Sequence, residues 1–408
     1  MNDRDPLGGG PGSARGAVSL CFLLNGAVIA SWLPHIPDLK RRLELDDGGL
    51  GLLLLSMAAG AIVALPLAGW LVARLGSRAV TGASAAALSA AVVLPVLTPG
   101  VASSAAALVL LGACNATLDV AMNAHGVMVE DAYRRPIMSS FHALFSLGGL
   151  VGAGSASVAM AAGMSAPTHL VVVALLSLAA VWVAVRRLLP TPPTWTHSAP
   201  VFAVPPAALL GLGLLTFCAL LAEGAVGDWS AVYLRDSLGT KASTAAMGFA
   251  AFSLAMALGR FAGDQLARRM GPIRLLRLSA SLATGGLTLT LLGGQPVIAL
   301  LGFAVVGLGV ANLIPILFSA AGRTQGVATG TAIAAVATTG YFGFLAGPPL
   351  IGLAADAVGL PVALGIVCAA CALVAVSAPI VPPSRAAPTP PAHLTRSKLT
   401  TNPDGSEG

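Results

Sequence analysis

Apolar stretches of roughly 20 residues, separated by short polar segments, recur along almost the whole chain. This is the length that an α-helix needs to cross a bilayer, where only helices and closed barrels satisfy their own backbone hydrogen bonds. Only 9% of the 408 residues are charged, whereas soluble domains carry about 25%. The sequence therefore predicts an all-α integral membrane protein whose twelve transmembrane helices cover residues 17–36, 48–72, 79–97, 102–126, 139–163, 168–185, 207–231, 244–266, 274–294, 296–318, 328–353 and 360–381.

The polar segments divide the chain into two halves. Residues 186–206 are rich in proline and polar side chains, which is typical of a linker. We expect one six-helix bundle over 17–185 and a second over 207–381. Residues 1–16 form an N-terminal tail that lacks a basic leader and a cleavage site, so we expect the first span to be retained. Residues 382–408, rich in Pro, Thr and Ser, are expected to be disordered.

The distribution of lysine and arginine predicts the orientation in the membrane. With both termini in the cytoplasm, the inner side holds all of the 22 basic residues except Lys40, Arg41, Arg42, Arg235 and Lys241. The inverted orientation would place this large majority outside, against the preference of cytoplasmic loops for positive charge. We therefore expect a multi-pass protein of the inner (plasma) membrane, with both termini in the cytoplasm.

The basic residues and the cysteines show no nucleic-acid or metal site. The net charge of +6 comes from short basic clusters between apolar stretches, which argues against a nucleic-acid partner. All five cysteines lie inside apolar stretches, and Cys368 and Cys371 form one C-x-x-C pair without the second pair that a zinc site needs. We expect free thiols, no metal and no cofactor.

The two halves repeat one another. The segment NGAVIASW resembles EGAVGDW after one gap, which aligns Trp32 with Trp229 and Asn25 with Glu223. LAGWLVARLG corresponds to FAGDQLARRMG with one residue inserted. Two bundles built on one plan predict pseudo-symmetric halves. Such repeats are typical of secondary transporters, whose substrate site lies near the midplane between the halves.

A loop after the second span carries a family resemblance. The segment GWLVARLGSR resembles the signature loop of the major facilitator superfamily, although Ala73 stands where that loop has an acid. The matching residues are Gly69, Arg74, Gly76 and Arg78. The segments DVAMNAHGVMVEDAYRRPIMSSFHALFSLGGLVGAG and AEGAVGDWSAVYLRDSLG resemble the YbjJ-like branch, which is related to fucose permease. The resemblance covers residues 15 to 380 and implies the major facilitator fold, with the loop as part of a gate.

Ionisable side chains inside the predicted spans are the candidates for function. Each such charge costs roughly 2.5–3.5 kcal/mol on insertion scales and usually faces a cavity or a partner. The chain has no P-loop, because none of its lysines follows a glycine. A transporter of this kind therefore uses an ion gradient or moves its solute downhill. The candidates are Asp119, Glu223, Asp228, Arg260 and Asp264, with His142 and Tyr341 as polar companions.

The fourth span carries a polar stripe. Asn115, Asp119 and Asn123 lie four residues apart and therefore share one face of a helix. We expect Asp119 to lie roughly 10 Å from the inner end of the span. Burial favours the protonated form of a carboxylate, which allows it to take up and release a proton. Relatives of fucose permease use acids in the first and fourth spans in this way, so the resemblance implies that Asp119 couples protons. From the stripe itself we expect this face to line a central water-filled cavity, where Asn115 and Asn123 bind the solute.

The second expected proton-coupling residue is Glu223. The first span offers Asn25 where the related transporters carry an acid, and Glu223 is its counterpart in the repeat. Gly224 and Gly227 predict a break in the seventh span that exposes backbone to a solute. The other expected solute-binding residues are Asn25, His142, Asn312 and Tyr341.

The fifth span carries a small-residue pattern. Gly148 and Gly152 form G-x-x-x-G, which predicts close packing between helices. His142 and Ser146 precede it, one turn apart. For His142, a role in the site and a role as a buried, hydrogen-bonded histidine are both open.

Charged residues near the ends of the spans are candidates for gating. Arg260 and Asp264 lie near the expected inner end of the eighth span, which favours a clasp between the halves over contact with the solute. Asp228, next to a tryptophan of the type found at membrane interfaces, either gates or is a solvated helix-end charge. Because the signature loop lacks its acid, we expect Arg74 and Arg78 to matter less than the eighth-span pair.

Three functions compete. The first is proton-coupled symport of a small polar, sugar-like solute, and the second is efflux of amphipathic compounds by proton antiport. The second needs a mostly apolar cavity, whereas the candidate residues are polar, which favours the first. The third, an intramembrane receptor or enzyme, would need a cluster such as H-E-x-x-H, and the sequence has none. We expect a monomeric transporter, not an enzyme, whose partners are a small-molecule solute, protons and the lipid bilayer.

The orientation can be tested with a reporter that is active only in the cytoplasm. Fusions after residue 190 and after residue 385 are both expected to be active, because the positive-inside bias places the linker and the C-terminal tail inside. A periplasmic signal at either position would contradict the orientation.

Overall fold

The computed structural model describes residues 11–133, 137–190, 209–325, 327 and 329–381. All regular secondary structure in these ranges is helical, and twelve helices are long and apolar enough to cross a membrane. In chain order, spans 1 to 12 are Gly12–Arg42, Asp47–Leu75, Ser77–Leu97, Val101–Tyr133, Ser140–Ala161, Ala166–Arg187, Leu210–Ser237, Ala242–Gly263, Pro272–Gly293, Pro296–Gly322, Ala335–Val358 and Leu360–Ile380. Three of the helices extend further, over Met138–Ala161, Ala242–Met270 and Thr329–Val358. The expected C-terminal tail and most of the linker and N-terminal tail lie outside the described ranges.

Span 4 is longer than its apolar stretch indicated. Its helix continues to Tyr133, beyond the predicted end at 126, because the polar side chains of its last turns find partners inside the protein. Glu130, for example, accepts hydrogen bonds from the backbone N–H groups of Ile137 and Met138 at 2.6 and 2.8 Å. Asp119 consequently lies about 21 Å from the end of its helix, near the middle of the span, rather than 10 Å from it.

Span 1 is interrupted near its end. The helix Pro11–Trp32 gives way to a 3₁₀ turn, Leu33–His35, and continues as the short helix Ile36–Arg42. Pro34 and Pro37 lack the backbone N–H that an unbroken α-helix would need there. The turn packs against spans 7 and 8 of the second half, where a side chain at Gly227 would lie 3.6 Å from Leu33 Cδ1.

The repeat is visible in the backbone. Spans 2 and 3 meet at Gly76 with φ 81°, and spans 8 and 9 meet at Gly271 with φ 76°, conformations that glycine adopts without strain. Trp32 and Trp229 are both fully buried. The Trp229 ring packs in the core of the bundle.

Close packing around the G-x-x-x-G pattern is confirmed. A side chain at Gly148 would collide with the backbone of Leu23 and Ala27 in span 1, and one at Gly152 with the backbone of Ala27 and Ser31. The two glycines therefore allow spans 1 and 5 to approach with their backbones in contact.

An ion-paired cluster joins the halves at one end of the bundle. We call the end that carries residues 33–46 the Lys40 end, and the opposite end, where the chain begins, the terminal end. Lys40 Nζ donates to Asp47 Oδ1 at 2.6 Å within the first half and to Asp236 Oδ2 at 2.9 Å in the second half. This bridge ties the two halves together at the Lys40 end.

Helix packing closes the same end. Gly51 of span 2 lies against Gly352 of span 11, where a side chain would meet the partner's backbone. Ser157 Oγ of span 5 donates to the carbonyl oxygen of Ser243 in span 8 at 2.8 Å. Because these contacts leave no room between the halves at that depth, the structure represents a state that is closed at the Lys40 end.

Two glycines of span 5 provide a matched test of this packing. Gly148→Ala is expected to lower the free energy of unfolding by about 1–3 kcal/mol, because the added methyl group overpacks a backbone contact. Gly154→Ala, which meets nothing within 4 Å, is expected to be neutral or slightly stabilising. Thermal unfolding of the purified variants in detergent measures both, and equal melting temperatures for the pair would contradict the packing.

Candidate functional site

The polar stripe of span 4 is built around Asp119. Asn123 Nδ2 donates to Asp119 Oδ1 at 3.1 Å and to its carbonyl oxygen at 2.8 Å. Within the described residues, no cation lies within ion-pairing distance of Asp119. Asn115 Oδ1, on the same face, is buried and accepts no hydrogen bond from the described part of the chain. The stripe thus offers a carboxylate with one amide partner, and an acceptor oxygen that is unused.

Tyr341 approaches this carboxylate from the other half. Its phenol, on span 11, lies within the electrostatic influence of the Asp119 carboxylate. The residue as a whole is 39% exposed. The structure therefore brings together two predicted site residues, one from each half, at the middle of the membrane.

A second polar contact between the halves surrounds Arg260. Arg260 Nη1 donates to Ser146 Oγ at 2.7 Å and approaches the carbonyl oxygen of His142 at 3.5 Å, both on span 5 of the first half. Arg260 Nη2 lies 3.7 Å from Glu223 Oε1 of span 7. Both charged side chains are mostly buried, with 15% and 19% exposure. This distance makes a loose ion pair, so the serine hydroxyl is the stronger of the guanidinium contacts.

The predicted break in the seventh span does not occur. The helix runs without interruption over Leu210–Val232 and includes Glu223, Gly224 and Gly227. Gly224 instead makes room for the ring of Phe344, since a side chain there would lie 2.7 Å from Phe344 Cδ1. The glycines serve helix packing, and the backbone is not exposed there as a ligand.

Asn25 and His142 border the same region of the first half. Asn25 is 1% exposed, its Nδ2 contacts Met122 Sδ at 3.8 Å, and its Oδ1 has no hydrogen-bond partner in the described part of the chain. The His142 ring packs edge-on against Phe22 with centroids 5.2 Å apart, while the residue as a whole is exposed. The alternative of a buried, hydrogen-bonded histidine does not fit His142.

Asn312 is engaged within the second half. It lies between the helices Pro296–Val310 and Leu313–Gly322, is 6% exposed, and donates from Nδ2 to the carbonyl oxygen of Gly259 at 3.2 Å. This bond links span 10 to span 8. A role for Asn312 in solute binding stays a prediction, and its present contact is structural.

Each arginine of the signature loop has a contact within the first half. The Arg74 guanidinium lies 5.1 Å from the centre of the Trp70 ring, and Arg78 Nε donates to the carbonyl oxygen of Val185 at 3.1 Å. These contacts fit the absence of an acid at position 73, and their part in gating stays a prediction.

The other gating candidates are separated from one another. Asp228 is half-buried and makes no hydrogen bond or ion pair with the described residues. Arg260 meets Glu223 and span 5, so it lies at the midplane contact between the halves. The Asp264 side chain lies outside the described part of the structure, and the clasp expected from it stays a prediction.

The ion-paired cluster at the Lys40 end is not predicted by the sequence. The sequence pattern identifies Lys40 only as a basic loop residue and does not single out Asp47 or Asp236. Asp236 is 196 residues from Lys40, and no local pattern pairs them. The available signal was the repeat, which places the ends of spans 1 and 7 at equivalent positions beside one another.

Among the described residues, no group of three or more His, Cys, Asp or Glu side chains could hold a metal ion. The polar groups at the midplane are instead hydrogen-bond donors and acceptors and a few charges. Such a set can orient a polar solute and exchange a proton.

Comparison with known proteins gives the family. The sequence profile of the Major Facilitator Superfamily matches residues 18–331 and again 212–403. An uncharacterized MFS-type transporter of Yersinia pestis is 39% identical over 360 residues, which cover 88% of this chain and 93% of that protein.

Solved structures show the same fold at low identity. A point mutant of the nucleoside transporter NupG superposes with a TM-score of 0.71 at 13% identity, covering 90% of this chain and 99% of that one. A point mutant of the E. coli fucose:proton symporter FucP gives 0.58 at 18% identity, covering 91% and 100%. Twelve spanning helices in two pseudo-symmetric bundles, a polar midplane and these matches agree, and the chain belongs to the major facilitator superfamily of membrane transporters rather than to any class of enzyme.

Proposed function

We propose that this transporter is a proton-coupled symporter of a small polar, sugar-like solute, of the YbjJ-like branch, and that it works by alternating access. The observation that carries the proposal is Asp119. It is a carboxylate at the middle of span 4 with an amide partner and, within the described residues, no cation. A proton is therefore the positive charge that can compensate for it inside the membrane.

The surroundings of Asp119 support a polar solute. Asn115 and Asn25 each hold an acceptor oxygen that is buried and unpartnered in the described structure, and an unpaired buried polar atom is costly. Tyr341 adds a hydroxyl from the other half. A solute with hydroxyl groups can donate to the amide oxygens and accept from the phenol. An amphipathic compound offers fewer such groups, which makes efflux of amphipathic compounds the weaker candidate.

Glu223 is the second proton-coupling candidate. It differs from Asp119 because Arg260 lies 3.7 Å away and offsets its charge. Proton uptake at Glu223 would release Arg260, which also holds Ser146 of the other half. We therefore assign Asp119 the transported proton, and the Glu223–Arg260 pair the linkage between the halves.

The closed Lys40 end fits one stage of the transport cycle. With the termini in the cytoplasm, as the basic residues indicate, the Lys40 end faces outside and the structure represents the state closed to the outside. Opening that end requires Lys40 to leave Asp236. We place the protein in the inner (plasma) membrane as a monomer, with protons entering together with the solute.

Replacing Asp119 by its isostere separates coupling from structure. Asp119→Asn keeps an oxygen that accepts from Asn123, so folding should be unchanged, but it removes the group that takes up the proton. A panel of neutral sugars and polyols first identifies a solute by thermal stabilisation of the purified protein. In proteoliposomes with a proton gradient, the variant is expected to lose accumulation and to retain exchange of that solute.

The control is Glu223→Gln, which is expected to retain accumulation at a reduced rate. If Asp119→Asn still accumulates solute against its gradient and Glu223→Gln does not, the proton is carried by Glu223 instead. If neither variant differs from the wild type, transport is not proton-coupled at this site.

The Arg260 contact can be tested through stability. Arg260→Gln leaves Glu223 mostly buried without its cation and is expected to cost about 1–3 kcal/mol, between the values for exposed and for buried pairs. The double variant Arg260→Gln, Glu223→Gln should recover part of that loss, because it removes the unpaired charge. Melting temperatures of the single and double variants decide this, and strict additivity would show that the two side chains do not interact.

A further inference from the structure

Two buried histidines are hydrogen-bonded to each other near the Lys40 end. His35 Nε2 and His169 Nδ1 are 3.0 Å apart, and the two residues are 1% and 4% exposed. His169 Nε2 lies 3.0 Å from Ser155 Oγ of span 5. His35 Nδ1 has no hydrogen-bond partner but lies 3.9 Å from a carboxylate oxygen of Asp38. The chain of contacts therefore runs from Asp38, at the surface, to the interior of span 5.

The position of each hydrogen in this chain follows from the partners. Ser155 Oγ has one hydrogen and donates it to the carbonyl oxygen of Gly152 at 2.7 Å, so it accepts from His169 Nε2–H. His169 Nδ1 is then an acceptor, and His35 Nε2–H must donate to it. When His35 is neutral, its Nδ1 is left as a bare lone pair facing a carboxylate, which is an unfavourable arrangement.

We propose that His35 is a proton-binding site separate from the midplane, and that proton uptake there stabilises the closed state of the Lys40 end. A proton on Nδ1 turns the repulsive contact with Asp38 into a charge-assisted one and keeps the bond from Nε2 to His169. Uptake of this proton breaks none of the hydrogen bonds from His35 to Ser155.

Proton uptake at His35 acts on the gate through the short helix Ile36–Arg42. That helix carries Asp38, which the protonated histidine holds, and two residues further Lys40, which bridges to Asp236 of the second half. Fixing Asp38 against the His35 turn therefore holds Lys40 in position for the bridge. Losing the proton frees the helix to move, which favours opening of the Lys40 end.

The charged and titratable groups around His35 are few. Asp38 is the acid, and it also pairs with Arg41 on its own helix and feels the charge of Arg235 from the end of span 7. His169, from span 6, is the remaining titratable neighbour, and its two ring nitrogens are already used by His35 and Ser155. Among the contacts given for the described residues, Asp38 is the charged group that pairs with His35 Nδ1, at 3.9 Å.

His125, near the terminal end, provides a matched contrast. Its Nε2 accepts from the backbone N–H of Leu189 at 3.2 Å, and its Nδ1 lies 2.9 Å from Ser77 Oγ. A second proton on this ring would break the bond from Leu189, and no carboxylate faces it in the contacts given for it. His35 and His125 are thus buried to a similar extent. They differ because His35 has a ring nitrogen, Nδ1, that makes no hydrogen bond and faces a carboxylate.

The test measures the distance between the halves at the Lys40 end. The native cysteines of the full chain are replaced by alanine, and cysteines introduced at Val101 and Lys241 are spin-labelled. Double electron–electron resonance then measures the distance between the two labels. No solute and no gradient are added, so the result does not depend on the proposed symport. Lowering the pH from about 8 to about 5.5 is expected to raise the closed-to-open ratio about twofold or more.

The variants decide which group is responsible. His35→Gln should abolish the pH response, and His125→Gln should retain it. Asp38→Asn should strongly reduce the pH response, and it is expected to fold because the side chain is 42% exposed. This variant therefore tests the role of the His35–Asp38 contact even if His35→Gln fails to fold. Arg41→Gln, which removes the other charged partner of Asp38, should retain the pH response. A wild type without a pH response, or a response that survives in Asp38→Asn, would overturn the proposal.

Discussion

A charge inside a bilayer costs roughly 2.5–3.5 kcal/mol, and this cost organises the midplane of the transporter. Arg260 and Glu223 offset one another within the second half, and the guanidinium also holds Ser146 of the first. Asp119 has an amide partner but no fixed cation in the described structure. The two carboxylates therefore have different chemistry. Glu223 is compensated by Arg260, whereas Asp119 has no cation in the described structure, and this difference is the basis of the proposed proton coupling.

Backbone contacts at glycines determine which helices stay together and which separate. Gly148 and Gly152 join spans 1 and 5 inside the first half, where the packing is permanent. Gly51 and Gly352 join spans 2 and 11 across the halves. Packing between small residues contributes mainly dispersion energy and involves few hydrogen bonds. The interface between the halves can therefore open without leaving many polar groups unsatisfied, and ion pairs such as Lys40–Asp236 select the closed state.

Length, apolar periodicity and the internal repeat were sufficient to predict the twelve helices, the two bundles and the residues of the polar stripe, because each follows from local composition. Two kinds of feature could not be predicted. The continuation of span 4 to Tyr133 and the unbroken helix around Gly224 depend on tertiary partners such as Phe344 and the start of span 5. Asp119 and Tyr341 interact electrostatically, and Arg260 donates a hydrogen bond to Ser146. The members of each pair lie more than 100 positions apart, and no pattern within a single sequence predicts which distant residues meet.

The contact between Arg260 and Ser146 links the class of solute to the motion. In the proposed alternating access, rotation of the halves to open the Lys40 end would move span 8 relative to span 5 and would stretch or break the bond from Arg260 to Ser146. A mostly buried guanidinium without an acceptor is costly, which opposes opening in the empty transporter. A bound solute with several hydroxyl groups can accept from Arg260 while donating to the free oxygen of Asn115. Such a solute, as proposed for this transporter, would lower the barrier by replacing the hydrogen bonds that the motion breaks, and an apolar compound of equal size could not do so.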